Sequence, residues 1–359
     1  MNERRAGPDS GGPGHRAAGL AVCVPTMERP DALRTLLESL LEQRRCPDLV
    51  LVVDASRSSS TRVVCEQMAP RFPKESLRYE KSSPGLPSQR RVCIDQIRRA
   101  PFVRYLCFLD DDVTLEPSFL STILAFLESE DGRTFGGVCG YDLANWDRPF
   151  ERLEVAYQRL GLFGGELRPG RWTYCGHFLE LTHMPPSDDV VKCDFLLGGL
   201  TVWRTEVFDR FLPPIDLKGY ALGEDKHFSL RVGTLFDLGV HCGARAWHRP
   251  AKGGRPSRLR IAYQFTRMQG LLLRDCDRSP TFRRYVSFLG FQGVNALVHL
   301  VVNVVRGRFR DLSDVAGWLL GWMTCIVFPP RRTRDSLRCV PSARVLTATS
   351  ADDARATGG

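Results

Sequence analysis

The sequence lacks the short signatures that identify several common classes of nucleotide-binding enzyme. It contains no Gly-x-x-x-x-Gly-Lys-Ser/Thr loop, which would bind ATP, and no Gly-x-Gly-x-x-Gly segment following a predicted strand, which would bind a dinucleotide. Recognition of any nucleotide would therefore rest on residues at the ends of strands.

The sequence also lacks cysteines at Cys-x-x-Cys spacing and an apolar segment near its N-terminus. The 12 cysteines include no Cys-x-x-Cys pair, and several, such as Cys23, Cys93 and Cys107, lie in apolar runs where a thiol behaves as a small hydrophobic group. Residues 1–18 are rich in Gly, Pro and Arg and lack the apolar core of a signal peptide. We expect reduced cysteines, a disordered leader over residues 1–18 and a cytoplasmic protein.

The charge balance is basic but carries no nucleic-acid signature. The 359 residues include 50 Lys and Arg against 41 Asp and Glu, a formal charge of +9, which suits a nucleic acid, an anionic membrane or a phosphorylated substrate. The basic residues show neither a recognition helix nor stacking aromatic side chains. We therefore expect no nucleic-acid partner.

Short apolar runs alternate with amphipathic ones over the first third of the chain. The pattern predicts strands at residues 20–25, 49–54, 77–81 and 105–109, and helices at 31–43, 58–69 and 87–99. Repeated strand and helix units favour an α/β fold with a mostly parallel sheet flanked by helices. In such sheets ligands bind beyond the carboxyl ends of the strands, where Thr26, Asp54 and Asp110 fall.

The later sequence divides into less regular loops, further strand and helix units, and an apolar end. Residues 172–189 carry no recognisable motif, whereas residues 193–204 predict a glycine turn before a strand, and residues 223–227 open a helix reaching about residue 235. We expect one domain over residues 19–277, a helical region over 278–335 and a disordered tail over 336–359.

The helical region contains two apolar runs, at residues 285–305 and 315–328, bracketed by arginines. The first is about long enough to span a bilayer but carries polar residues, and the second is too short. An interfacial helical segment that contacts the membrane peripherally is the preferred interpretation. The alternative is a helix pair packed on the globular domain.

Three consecutive carboxylates, Asp110, Asp111 and Asp112, end the strand predicted at residues 105–109. Like charges this close oppose one another's ionisation unless a cation offsets them. An Asp-x-Asp pair at a strand end suits Mg²⁺ or Mn²⁺ bound together with phosphate oxygens. The structural alternative is an acidic loop capping a helix near Glu116.

The order of several short motifs resembles a family 2 glycosyltransferase with the GT-A fold, over about residues 19–250. The motifs that carry the resemblance are Val24-Pro-Thr-Met-Glu-Arg-Pro30, Val53-Asp54, Gly85-Leu-Pro-Ser-Gln-Arg90, Asp110-Asp-Asp112, Gly198-Gly199 with Trp203-Arg204, Glu224-Asp225 and His248.

The resemblance implies roles for individual residues. Asp225 would be the catalytic base and Glu224 would orient the acceptor, while His248 would join Asp110 and Asp112 as a ligand of Mg²⁺ or Mn²⁺. The nucleotide-sugar would contact Pro25, Thr26, Arg29, Asp54, Arg90, Asp110, Asp111, Gly198 and Gly199, with Asp54 on the base or ribose and Arg90 or its neighbour Arg91 on phosphate. Each of these residue types also has a structural alternative. Asp54 could form a turn, and Arg90 or Arg91 could lie on a solvated helix face. Glu224 and Asp225 could cap a helix, and His248 could be a structural histidine.

The expected activity is metal-dependent, inverting transfer of a sugar from a nucleotide-diphosphate sugar to a hydroxyl of a glycan or lipid-linked glycan. Two alternatives stay open. Asp110-x-Asp112-x-Thr114 also matches haloacid-dehalogenase-like phosphatases, although that motif normally lies on the first strand and Val113 replaces its usual glycine. The other alternative is a non-catalytic glycan-binding protein.

Overall fold

The computed structural model of the chain describes residues 19–144, 168–181, 187–214, 222–249, 257–277 and 281–329. The predicted disordered leader and tail lie outside these residues, as do the arginines beyond residue 329. The division of the chain into regions therefore stays a prediction at both ends.

The first half of the sheet is parallel, as the alternating pattern predicted. Strand β1 (Gly19–Thr26) lies between β2 (Leu49–Asp54) and β4 (Val103–Leu109), and β3 (Leu77–Lys81) pairs with β2. All three pairs in this half are parallel, and Thr26 is paired with Asp54 where β1 and β2 end. The connecting helices are α1 (Pro30–Leu41), α2 (Ser60–Met68) and α3 (Leu86–Ile97).

The second half of the sheet adds antiparallel pairings. The remaining strands are β5 (Val113–Leu115), β6 (Phe135–Asp142), β7 (Val190–Lys192), β8 (Leu200–Arg204) and β9 (Asp237–His248). Strand β8 runs antiparallel to β4 and β6, and β9 runs parallel to β6 and antiparallel to β5. The resulting order is β3-β2-β1-β4-β8-β6-β9-β5, with β7 beside β9.

Helices cover both faces of the sheet, which confirms the predicted α/β class. Helix α1, α2 and α4 (Phe119–Glu128) pack on one face, where Leu36, Val52 and Ile123 share a core. On the opposite face α3 and α6 (Glu224–Val232) pack with the short helix α5 (Val207–Arg210), where Ile94 and Phe228 share a second core. Strand β1 is buried on both faces, so it forms the rigid centre from which the site loops extend.

Three further helices follow the sheet: α7 (Arg258–Asp275), α8 (Phe282–Val305) and α9 (Leu312–Val327). Helix α9 approaches α7 closely because it presents glycines there: a Cβ on Gly317 would lie 2.3 Å from the Leu259 carbonyl oxygen, and one on Gly321 would lie 2.8 Å from Thr266 Cβ. The two predicted apolar helices therefore exist and pack on the globular domain.

One prediction about the cysteines is wrong. Cys23 of β1 and Cys93 of α3 form a disulfide, with their Cα atoms 6.1 Å apart, so the cysteines are not all reduced. Nine other cysteines in the described segments are free thiols, most of them buried, as expected for small hydrophobic side chains.

Candidate active site

The site forms where β1, β2 and β4 end at a common edge of the sheet. The three aspartates follow Leu109, the last residue of β4, and Thr26 is the last residue of β1. The Thr26 hydroxyl donates a hydrogen bond to Asp111 Oδ2 over 2.7 Å, which ties the two loops together. The predicted convergence of strand ends is thus present in the structure.

Asp110, Asp112 and His248 form a cluster that fits a divalent cation. Each offers one ligand atom, and these atoms all lie within 4.8 Å of one another. The antiparallel pairing of β5 with β9 sets His248 opposite Val113, so that His248 Nε2 lies 3.0 Å from Asp112 Oδ1. Two carboxylates and an imidazole are a donor set that Mn²⁺ or Mg²⁺ accepts, with positions left for other oxygen ligands.

Arg29 partly neutralises the crowded carboxylates. Its Nη1 lies 3.1 Å from Asp111 Oδ1 and 3.3 Å from Asp112 Oδ2. Burial still raises the pKa of Asp111 to about 6, although the Thr26 hydroxyl and Arg29 both favour its charged form. Lost hydration also raises the pKa of Asp110, with Arg90 acting against the increase. The two guanidinium groups are therefore insufficient compensation for three carboxylates.

The residues predicted as catalytic lie beside the cluster of Asp110, Asp112 and His248. Helix α6 begins at Glu224, directly after Gly223, whose backbone is left-handed with φ of 79°. Arg90 is buried and forms an ion pair with Glu224 through Nη1, while its Nη2 lies 3.6 Å from Asp110 Oδ1. Burial raises the pKa of Glu224 to about 7, opposed by Arg90 and reinforced by Asp225 and Asp110.

Arg90 therefore joins the two halves of the site. Because Glu224 and Asp110 already engage its guanidinium, direct phosphate binding by Arg90 stays a prediction. Its neighbour Arg91, the other residue considered for phosphate, lies 3.5 Å from Asp95 on the surface of α3.

Asp225 is held by backbone amides at the start of α6. Its Oδ2 accepts a hydrogen bond from the Gly198 amide over 3.3 Å, and its Oδ1 accepts one from the Lys226 amide over 2.8 Å. Both hydrogen bonds fix the position of the carboxylate at the start of the helix. These contacts suit a group that must accept a proton.

The two predicted glycines are required because of how closely their neighbours approach. A Cβ on Gly198 would lie 2.6 Å from Arg90 Nη1, and a Cβ on Gly199 would lie 2.1 Å from Asp110 Cγ and Oδ2. The turn before β8 thus passes directly against the acidic cluster. Glycine is required here for its lack of a side chain.

Asp54 lies at the same edge but is engaged by protein groups. It is fully buried and accepts hydrogen bonds from the Ser56 amide and the Tyr79 hydroxyl, each over 2.8 Å, and Lys81 Nζ lies 3.4 Å away. Pro25 is paired with Val53 in the sheet. Contact of either residue with a nucleotide stays a prediction.

One residue of the site that was not predicted joins helix α3 to the ends of β1 and β2. The buried Gln89 side chain donates hydrogen bonds to the carbonyl oxygens of Thr26 and Val53, over 2.9 and 2.8 Å. It lies within the motif quoted for α3, but a glutamine that bridges two strand ends has no sequence signal that distinguishes it from a surface glutamine.

A second missed feature is the environment of Lys226, which follows the predicted base. Its Nζ lies 2.7 Å from Glu180 Oε1 and 4.6, 4.9 and 5.6 Å from the ring centres of Phe178, Phe195 and Phe265. These contacts hold the loop over residues 168–181 against α6. The loop that showed no motif therefore borders the site, although residues 182–186 lie outside the described structure.

The sequence was also compared with families of known proteins. The sequence profile of the family described as glycosyltransferase like family 2 matches residues 17–249. No curated protein sequence matches the chain.

Several solved structures are similar to this chain at low sequence identity. The mannosyltransferase PcManGT from Pyrobaculum calidifontis, in complex with GDP-Man and Mn²⁺, is 15% identical with a TM-score of 0.50, and the match covers 87% of this chain and 88% of that one. S. aureus TarS 1–349 in complex with UDP-GlcNAc is 14% identical with a TM-score of 0.48, over 86% and 92% of the two chains. In another TarS crystal structure, at 15% identity and a TM-score of 0.44, the match covers 76% of this chain but 42% of that one, so this chain spans less than half of its length. The likeness to PcManGT shows the fold alone.

Substitution of Gly199 by alanine tests the close approach to Asp110. The added Cβ forces the Asp110 carboxylate to turn away, so we expect at least about a tenfold loss of Mn²⁺ affinity, because one ligand is displaced. Mn²⁺ binding is measured by calorimetry and thermal stability in parallel. The matched control is Gly243→Ala in β9, where the Cβ would come no nearer than 3.2 Å, to the highly exposed Asp188 side chain. Unchanged affinity in Gly199→Ala would contradict the assignment of Asp110 as a ligand.

Proposed function

Since this chain belongs to glycosyltransferase-like family 2 and is a glycosyltransferase, we propose that it transfers a sugar from a nucleotide-diphosphate sugar to a hydroxyl of a glycan or lipid-linked glycan, inverting the anomeric carbon. Mg²⁺ or Mn²⁺ is the proposed cofactor. The proposal rests on two clusters of side chains that lie together at one edge of the sheet. One is formed by Asp110, Asp112 and His248, and the other is the pair Glu224 and Asp225. Arg90 links them, because it contacts both Asp110 and Glu224.

Asp110, Asp112 and His248 would hold the metal ion. When bound, a divalent cation offsets the negative charge of a diphosphate leaving group. Arg29 already offsets part of the negative charge of Asp111 and Asp112. The negative charge that remains suits a divalent cation that also binds phosphate oxygens. The nucleotide-sugar would lie along the edge formed by Pro25, Thr26, Asp54, Asp111 and the glycines before β8.

Asp225 is the proposed base. The acceptor hydroxyl oxygen attacks the anomeric carbon of the donor, and the hydroxyl proton moves to an oxygen of Asp225. The bond between the anomeric carbon and the diphosphate oxygen breaks on the opposite face, which inverts the configuration. The Gly198 and Lys226 amides keep Asp225 oriented for this step.

Glu224 is the proposed acceptor-orienting residue. Its Oε1 is occupied by Arg90, whereas its Oε2 is buried with no hydrogen-bond partner among the residues that the structure describes. A buried carboxylate oxygen without a partner is unfavourable unless a ligand supplies a donor. An acceptor hydroxyl would provide that donor.

The phosphatase alternative does not fit the strand order. A phosphatase of that class needs the Asp110-x-Asp112 motif on the first strand of its domain. Here Asp110 follows β4, the fourth strand along the chain, which lies between β1 and β8 in the sheet. The family assignment also leaves no basis for a non-catalytic glycan-binding protein.

Replacement of Asp225 by asparagine separates catalysis from donor binding. The amide cannot accept the acceptor proton, so we expect transfer to fall by about a hundredfold or more, while nucleotide affinity stays within about twofold because the metal-ligand cluster is untouched. Transfer is measured by product formation and affinity by calorimetry. Asp95→Asn, on the exposed side of α3, is the control and should keep both. Transfer at the wild-type rate in Asp225→Asn would remove Asp225 from the base role.

Mn²⁺ affinity should depend on pH through His248. The hydrogen bond with Asp112 raises the pKa of His248 above its ordinary value of 6.5, so a proton competes with the metal for Nε2 near neutral pH. Affinity should therefore rise with pH and level off above that pKa, and the raised pKa of Asp110 adds a loss at lower pH. Calorimetric titrations between about pH 5 and 8 measure this.

The variant His248→Gln should bind Mn²⁺ more weakly and lose the part of the pH dependence near neutrality. His241→Gln is the control, because His241 lies in the same strand but burial lowers its pKa and it is outside the cluster. An identical pH profile in His248→Gln and the wild type would contradict metal ligation by His248.

A further inference from the structure

Helix α8 buries polar side chains among apolar ones and exposes a row of apolar side chains, unlike a surface helix of a water-soluble protein. Gln292 and Asn303 are buried, at 4% and 7% exposure, and Gln292 hydrogen-bonds to Gln269 of α7. His299 packs its ring on Trp318 of α9, with 4.8 Å between ring centres. These three polar side chains therefore point into the protein, on the face that also buries Phe288, Phe291 and Ala296.

The opposite face of α8 exposes apolar side chains. Leu297, Val301 and Val305 are 59%, 53% and 79% exposed, and Val286, Val294 and Val304 lie on the same exposed face. Water-soluble surface helices place charged and polar residues on that side. Polar side chains turned inward and apolar ones turned outward are typical of helices that contact lipid.

Helix α9 continues this apolar surface. The two helices pack side by side and antiparallel: the Tyr285 hydroxyl donates to the Cys325 carbonyl oxygen, and Trp322 Nε1 donates to the Leu289 carbonyl oxygen, each over 2.8 Å. The outward side chains of α9 are also large and apolar, and the exposed ones are Leu320, Met323, Ile326, Val327 and Phe328. Exposed apolar surface on two neighbouring helices marks an interaction site.

Basic residues lie between the two helices. Arg306, Arg308 and Arg310 are all exposed, and Phe309 among them is 67% exposed. Gly307, with φ of 65°, allows the chain to turn there. Arginines beside an exposed aromatic ring complement the anionic headgroups at a membrane surface.

We propose that the outward faces of α8 and α9, with Arg306, Arg308 and Arg310, form a surface that lies flat on a membrane containing anionic lipid. The surface is independent of the sugar-transfer chemistry proposed above. It places the loop over residues 168–181, which borders the site, close to the bilayer, because Arg284 of α8 donates to the Tyr174 and Thr173 carbonyl oxygens over 3.0 and 3.3 Å.

The same contacts favour a flat orientation over a transmembrane one. Helix α8 is long and apolar enough to cross a bilayer, with a mean hydropathy of 1.6, but a single helix of this kind is weak evidence for a span. Its inner face is committed to α7, α9 and the loop through Gln292, Trp322 and Arg284. Crossing the membrane would strip these contacts or pull polar groups of the domain into hydrocarbon.

Vesicle flotation of the full chain tests the surface. Vesicles of equimolar phosphatidylcholine and phosphatidylglycerol should carry the protein upward, and vesicles of phosphatidylcholine alone should carry much less. The double variant Leu297→Glu with Val301→Glu should lower the partition coefficient by about tenfold or more, because two carboxylates would enter the apolar boundary. Phe102→Glu with Leu235→Glu is the matched control, since those side chains are 57% and 58% exposed on the sheet domain, and it should float like the wild type.

The arginines are tested separately. The triple change of Arg306, Arg308 and Arg310 to glutamine should reduce flotation on anionic vesicles by about tenfold or more and leave the weak binding to neutral vesicles unchanged. Calorimetric nucleotide binding and circular dichroism check that each variant folds, and a failure of nucleotide binding in every protein including the wild type would count against the proposed donor site alone.

Three outcomes would overturn the proposal. The first is flotation that does not change in the Leu297 and Val301 double variant. The second is wild-type protein that stays in the vesicles after high-salt and alkaline extraction, which indicates a spanning helix. The third is no flotation together with a dimer in light scattering that the double variant abolishes, which indicates that a second copy of the chain covers this face.

Discussion

The concentration of negative charge at one edge of the sheet is the constraint on which the rest of the site depends. Five carboxylates, from Asp110, Asp111, Asp112, Glu224 and Asp225, face two guanidinium groups, from Arg29 and Arg90. Burial raises the pKa of Glu224 to about 7 and that of Asp111 to about 6, so the two arginines do not fully offset the acidic groups. A protein retains such a cluster at a functional site, where a bound cation completes the balance.

The fold supplies this arrangement through a few rigid connections. Parallel pairing brings the ends of β1, β2 and β4 together, and the antiparallel strand β9 delivers His248 from a distant part of the sequence. The glycines before β8 let that turn pass against Asp110, while Gln89 fixes the ends of β1 and β2. The helices after the sheet are fastened to the same region through Lys226 and Arg284, so the apolar outer surface and the site form one connected body.

Local sequence signals predicted a large part of this structure. Alternation of apolar runs located β2 and β3 to the residue and the first three helices to within two residues at each end, because these elements bury one regular face. The acidic run after β4 was identifiable because three adjacent carboxylates oppose one another's ionisation. The acidic start of α6 was identifiable only through the order of motifs that resembles the family, because acidic residues are also common helix caps. The antiparallel half of the sheet and the Cys23–Cys93 disulfide were not predicted, because both depend on which distant segments meet. The three phenylalanines around Lys226 were missed for the same reason, because each of them taken alone is typical of an ordinary core residue.

The central claim is that the acidic cluster binds a metal ion and a nucleotide diphosphate together. The most direct measurement is calorimetric titration of the purified protein with UDP, GDP and dTDP, with and without Mn²⁺, on the wild type and on Asp112→Asn. We expect one nucleotide to bind to the wild type in a Mn²⁺-dependent manner and the variant to lose this binding. Binding of the nucleotide that is indifferent to Mn²⁺ and equal in Asp112→Asn, or no binding under any condition, would contradict it.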